Sequence, residues 1–129
     1  MAGRVRENGQ WLLVRRADVR MWALPGGTIE WGETLRAAAA RELSEEAGVD
    51  GFQIVRLVGV FGRPDRDPRF HAVTVVLECW VDRPVRPPSN PLEITDVALF
   101  APEALPDTLA MGMTDMLRAA MAPGAAIVE

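Results

Sequence analysis

Apolar and polar positions change rhythm several times along this chain, and each change predicts an element. Gln10 to Ala17 is a short apolar stretch that ends in charge, and Glu7-Asn8-Gly9 before it is a turn signal. Residues 2–17 therefore read as a β-hairpin whose first strand is short. Leu24-Pro25-Gly26-Gly27 breaks regular structure, and a helical stretch follows from Thr34 to Ala47, with Gly48 as a left-handed C-terminal cap. Two β-branched runs, Phe52 to Phe61 and His71 to Val81, flank the polar loop Gly62 to Arg69 and predict a long antiparallel pair. Four prolines within residues 83–91 forbid a central strand and mark an extended loop. Ile94 to Phe100 reads as the last short strand. After Pro106 the spacing of Leu109, Met113, Met116, Leu117 and Ala120 predicts an amphipathic helix whose methionines are core. Strands mixed with two helices predict a layered α/β sandwich.

Composition narrows the possible roles. A chain of 129 residues supports one domain, residues 1–129, with a real core, and 49% apolar with 25% charged residues is the usage of a globular protein. The net charge of -4 includes no basic stripe, which argues against grip on a nucleic-acid polymer, although an acidic protein still binds phosphates through metal ions. The single cysteine, Cys79, excludes an intramolecular disulfide and a cysteine-rich zinc site; in its apolar run it reads as a buried structural thiol. No stretch has the length of a signal peptide core or a membrane span, so the expected setting is the cytoplasm, with no membrane partner.

Candidate chemistry sits on the first helix. Glu42 and Glu46 lie one turn apart on one face, Glu45 stands about 60° to the side, and Ala39, Leu43 and Ala47 form a separate apolar stripe. Like charges at this spacing cost a few tenths of a kcal/mol per pair, and here they face the negative end of the helix dipole. Two readings are open from these residues: a solvated acidic face, or an oxygen-ligand site for a hard divalent cation such as Mg²⁺.

The surrounding residues favour the second. From Gly27, the run GTIEWGETLRAAAARELSEEAGV fits the Nudix box at each fixed position, namely Gly27, Glu33, Arg41, Glu42, Leu43, Glu45, Glu46, Gly48 and Val49. A chance match in a chain of this length is on the order of one in ten million from background residue frequencies. The sequence therefore resembles the Nudix hydrolases. That resemblance implies an α/β/α sandwich with a mixed β-sheet and the box as a loop-helix-loop. It implies a divalent ion, Mg²⁺ with Mn²⁺ as a possible substitute, bound by Glu42, Glu45 and Glu46, and hydrolysis of a diphosphate bond by water without a protein nucleophile. Neither Cys79 nor Ser44 is needed. Arg41 and Glu33 would hold the acidic cluster in place, and Gly26 and Gly27 would let the loop turn tightly beside it. The general base would be a box glutamate, Glu45 or Glu46, or a later carboxylate, with Glu93 ahead of Asp96.

The substrate signal is thinner. Pro64 stands fifteen residues beyond Val49, and Arg66-Asp67-Pro68-Arg69 with His71 also looks like the ADP-ribose pyrophosphatase subgroup. A stiff loop bearing Arg66 and Arg69 could hold a second phosphate or a ribose, or the arginines could pair with Asp65 and Asp67 on the surface. Trp22, Trp31 and Phe61 are candidates to stack on a base or, equally, packing residues. The expected ligand is a small nucleotide-derived molecule, ADP-ribose or a related nucleotide sugar. The alternatives are a MutT-like enzyme acting on (d)NTPs and a non-catalytic Nudix ligand-binding module. Monomer and homodimer both remain open.

Overall fold

The computed structural model describes residues 1–129. A mixed sheet of seven strands runs through the centre: β1 (Ala2–Val5), β2 (Trp11–Arg16), β3 (Trp22–Ala23), β4 (Phe52–Phe61), β5 (Thr74–Val81), β6 (Ile94–Phe100) and β7 (Ile127–Val128). Its order is β3-β2-β1-β5-β4-β7, and β6 pairs with β2. Because β6 follows β2 from Trp11 to Arg16, β1 and β3 share the other edge of β2 at opposite ends. The β1·β5 and β4·β7 pairs are parallel and the others antiparallel.

Alternation along the strands sends two apolar sets to opposite faces. Leu12 and Val14 of β2 join Leu77, Cys79 and Val81 of β5 in one cluster, covered by Ala39, Leu43 and Ala47 of helix α1 (Leu35–Ala47). Trp11 and Leu13 join Val58, Phe61 and Val76 in the other, covered by Met116, Leu117 and Ala120 of helix α2 (Thr114–Met121). The result is an α/β/α sandwich, as the sequence resemblance implies. Cys79 is fully buried in the α1-side core, and burial pushes its thiol pKa up, away from thiolate chemistry.

Helix α1 begins and ends as its sequence requires. The Thr34 hydroxyl accepts the Ala37 N–H at 3.1 Å, and Gly48 takes the left-handed conformation at φ 65°. A side chain at Gly48 would overlap the backbone of Arg86, so glycine also lets the proline-rich loop lie against the helix end. That loop is fastened there by Val85 N–H to Gly48 O at 2.9 Å and Ser89 N–H to Glu45 O at 2.8 Å.

Four expectations change. The hairpin strands pair at one position only, Arg4 with Trp11, while β1 pairs along its whole length, Ala2–Val5, with β5 on its other edge. Strand β5 starts at Thr74, which leaves His71 in the preceding loop with its Nε2 2.7 Å from Gly62 O. Strand β6 is not the last, since the two-residue β7 follows on the edge of β4. Helix α2 starts at Thr114 rather than soon after Pro106, because Met111 and Gly112 both have positive φ, 54° and 65°, and break the helix. Leu109 and Met113 still face inward, so their spacing imitates a longer helix.

Candidate active site

The loop before α1 and the helix build one charged assembly. Arg41 grips Glu33 through Nε at 2.8 Å and Nη2 at 2.9 Å, a two-point contact that fixes the guanidinium. Its Nη1 donates to Glu42 at 3.1 Å and Glu45 at 3.4 Å, and its Nη2 to Thr28 O at 3.0 Å. The Arg41 hydrogen bonds hold the Glu33 carboxyl below its ordinary pKa, and the ring of carboxylates holds Arg41 firmly protonated. Arg41 thus bridges loop and helix.

Glu42 and Glu46 are buried, whereas Glu45 is exposed. Burial pushes the Glu46 carboxyl up to about 7, the N–H of Gly26 at 2.7 Å pulls it back, and the charges of Glu42 and Glu93 push it further up. Burial also raises Glu42, against the opposing pull of Arg41. Gly26 thus contributes a backbone donor. Gly27 contributes space, because a Cβ there would overlap the Glu42 carboxylate.

Glu42, Glu45 and Glu46 line a cleft together with Ser89, Asn90, Glu93 and Ile94. The structure therefore brings Glu93 to the helix glutamates. Asp96 is exposed on strand β6, takes the Thr95 hydroxyl at 2.9 Å and is absent from the cleft wall. Sequence reasoning missed Ser89 and Asn90. Asn90 accepts the N–H groups of Glu93 at 3.1 Å and Ile94 at 3.0 Å through its carbonyl, and of Leu92 at 3.0 Å through its side chain. This turn, signalled by Ser-Asn-Pro, sets Glu93 in the cleft lining.

The other candidates lie elsewhere. Arg66 is buried on the α2 side of the sheet, 5.2 Å above the Phe61 ring. Its Nε donates to Glu129, its Nη1 to Gly112 O and Asp115, and its Nη2 to Asp115 and Glu129. With these five bonds each guanidinium hydrogen is committed, so the expectation of a substrate-gripping Arg66 gives way to a structural one. Arg69 is exposed and pairs with Asp67 through Nε at 3.1 Å and Nη2 at 2.8 Å, which leaves Nη1 for a ligand. Trp22 packs edge-on against Phe100 at 5.0 Å, Phe61 is core, and Trp31 is fully exposed on the loop before α1.

The donor set of the cleft suits a hard divalent cation: carboxylate oxygens, two of them on buried glutamates with raised pKa, and no thiol or imidazole. As they stand, no three acidic side chains surround one point at ligand distance, since Arg41 holds Glu42 and Glu45 while Gly26 holds Glu46.

The sequence profile of the NUDIX domain matches residues 2–120. This chain belongs to the NUDIX domain family. A Methanocaldococcus jannaschii protein named ADP-ribose pyrophosphatase is 39% identical over 77 residues, covering 57% of this chain and 45% of that protein. A MutT-like protein of Streptomyces ambofaciens is 35% identical over 106 residues, covering 82% of this chain and 64% of the relative. The chain thus spans about half of the first relative and under two thirds of the second. In fold, it is similar to an ADP-ribose pyrophosphatase from Streptococcus suis, with a TM-score of 0.74, 22% identity, and coverage of 98% of this chain and 93% of the other. No helix is long and apolar enough to cross a membrane.

Proposed function

We propose that this NUDIX domain hydrolyses a diphosphate bond in a nucleoside diphosphate derivative, with ADP-ribose or a related nucleotide sugar ahead of (d)NTPs. One observation carries the reading: the helix glutamates and Glu93 share one cleft, and two of the carboxylates, Glu42 and Glu46, are buried. Glu42, Glu45 and Glu46 would hold Mg²⁺ or Mn²⁺, which when bound neutralises the diphosphate and makes water nucleophilic at neutral pH. Arg41 keeps the glutamates oriented, and the Gly26 N–H positions Glu46. Glu93, exposed in the same cleft, accepts the proton from the attacking water. Ser44 is occupied as the acceptor of Arg86 and takes no part.

Support for the nucleotide sugar comes from Pro64, from the spare donor of Arg69 and from the name of the M. jannaschii relative. The S. ambofaciens relative, named MutT-like, supports the triphosphate alternative. A non-catalytic ligand-binding role fits less well, because each box carboxylate is present.

A panel of ADP-ribose, nucleotide sugars and dNTPs, resolved by chromatography, tests the reading. ADP-ribose should give AMP and ribose phosphate, whereas a triphosphate substrate would give pyrophosphate. Chelation should abolish turnover and added Mg²⁺ or Mn²⁺ should restore it; full activity after exhaustive chelation would contradict the proposal.

The loop glycine offers a second test. Gly27→Ala should displace the Glu42 carboxylate and weaken metal-dependent turnover about 10–100-fold, the usual penalty for disturbing a ligand's support. The melting temperature should hardly move, as Gly27 is exposed. Unchanged activity would show that Glu42 need not stay where Gly27 lets it lie.

A further inference from the structure

Two short loops each carry an arginine clasped by an aspartate two residues away. Arg16 donates to Asp18 through Nε at 3.0 Å and Nη2 at 2.7 Å, and Arg69 binds Asp67 in the same two-point manner. The charges act across the gap between the loops: Arg69 acts on both Arg16 and Asp18, and Arg16 acts on Asp67.

Arg16 stands at the margin of the cleft. In the β2·β6 ladder it pairs with Ile94, a cleft residue, and the next N–H, that of Ala17, donates to the Glu93 carbonyl at 2.9 Å. The register shifts between Arg15 and Arg16, an irregularity of the kind that re-aims a side chain beside a site. The field of Glu46 reaches Arg16 as well.

The two clasps are unequal. Arg16 is the sheltered member of its pair, with 17% of its side chain exposed against 47% for Asp18. In the other pair Asp67 is sheltered at 10%, and Arg69 is the exposed member at 45%. The guanidinium of Arg16 is therefore the sheltered partner, its side-chain hydrogen bonds both go to Asp18, and the carboxylate on it is the more exposed of the two. A planar, two-oxygen anion occupies a guanidinium edge as a phosphate oxygen pair does.

We propose that Arg16 is a specificity-determining residue that binds a substrate phosphate group lying beyond the glutamates, and that Asp18 is an internal placeholder which the phosphate displaces. Asp18 then acts through Arg16 as a positioning residue. It keeps the guanidinium flat and pre-aimed, and it sets a threshold that a diphosphate passes and a weakly charged molecule does not. The proposal rests on the hydrolase reading for its substrate, but not for its test.

The test is titration of inorganic pyrophosphate into metal-free protein, followed by calorimetry and ³¹P NMR. Arg16→Gln should weaken binding by at least about tenfold, the scale of a lost charged hydrogen bond. Asp18→Asn should strengthen it roughly threefold or more, since an amide binds guanidinium far less well than a carboxylate yet can still accept the Val19 N–H at the 2.8 Å contact that shapes the turn. In the double variant the gain from Asp18→Asn should vanish, whereas an effect of net charge alone would persist. Melting curves verify that each variant is folded. With Mg²⁺ and ADP-ribose, Asp18→Asn should lower KM with kcat unchanged.

Binding by Asp18→Asn no tighter than wild type overturns the proposal, as does a gain that survives loss of Arg16. Absence of saturable pyrophosphate binding in wild type and Asp18→Asn overturns it too. If wild type turns over neither ADP-ribose nor dGTP, the hydrolase reading fails, while the pyrophosphate titration still decides the role of Arg16.

Discussion

Replacing Glu46 with Gln is expected to lower turnover at least a hundredfold, about 2.7 kcal/mol of transition-state stabilisation, while making the metal-free protein harder to melt. The two effects share one cause. Burial lifts the Glu46 carboxyl to about 7, so the folded chain holds this proton more tightly than the unfolded chain does. Between the ordinary carboxylate range and about pH 7 the folded state binds more protons than the unfolded one, and stability falls as pH rises through that window. At pH 8 the ionised Glu46 is a standing cost in the metal-free state. Gln removes the charge, keeps an oxygen for the Gly26 N–H, and should raise Tm by several degrees, each 1 kcal/mol being worth roughly 3–5 °C at this length. Below about pH 5 the difference should close. Added Mg²⁺ should reverse the ranking, stabilising wild type in proportion to its concentration and the variant hardly at all. Near-normal turnover in a folded Glu46→Gln protein would remove Glu46 from both its proposed metal-binding and its catalytic roles.

What the sequence showed in advance was whatever neighbouring residues decide among themselves. Thr34 caps α1 and Gly48 ends it because those side chains act on backbone groups within one turn. Glu42 and Glu46 share a face by helical period alone, and β4 spans the residues that its β-branched run marks out. Long-range pairing was not legible. The two residues of β7 become a strand only because Gly59 of β4 lets Ile127 approach closely. Ser89 and Asn90 enter the cleft because the loop is tied back to Glu45 and Gly48, more than thirty residues earlier. Nor did spacing reveal that β2 would carry Ala17 to the Glu93 carbonyl and so set Arg16 beside the site.

Arg66 shows the same limit most sharply, and its substitution separates a structural from a substrate role. Within its own loop Arg66 looks like a free cation on a polar turn. Its partners, Asp115 and Glu129, lie 49 and 63 residues away. Arg66→Ala is expected to lower Tm by roughly 5–10 °C at neutral pH, because it leaves two carboxylates and the Gly112 carbonyl without their shared donor. Arg66 holds both carboxyls below their ordinary range. A depressed folded pKa gives stability that is present above the unfolded value and lost as pH falls through the folded one. The Tm gap between wild type and variant should therefore be widest near pH 7 and close below about pH 4. High salt should narrow it only in part, since the guanidinium is sheltered with 5% of its side chain exposed. At a temperature where both proteins are folded, KM for ADP-ribose should stay within about threefold of wild type, as Arg66 has no hydrogen left to offer a phosphate. A variant that melts with wild type but raises KM tenfold would return Arg66 to the substrate site, and with it the second phosphate contact first expected of this loop.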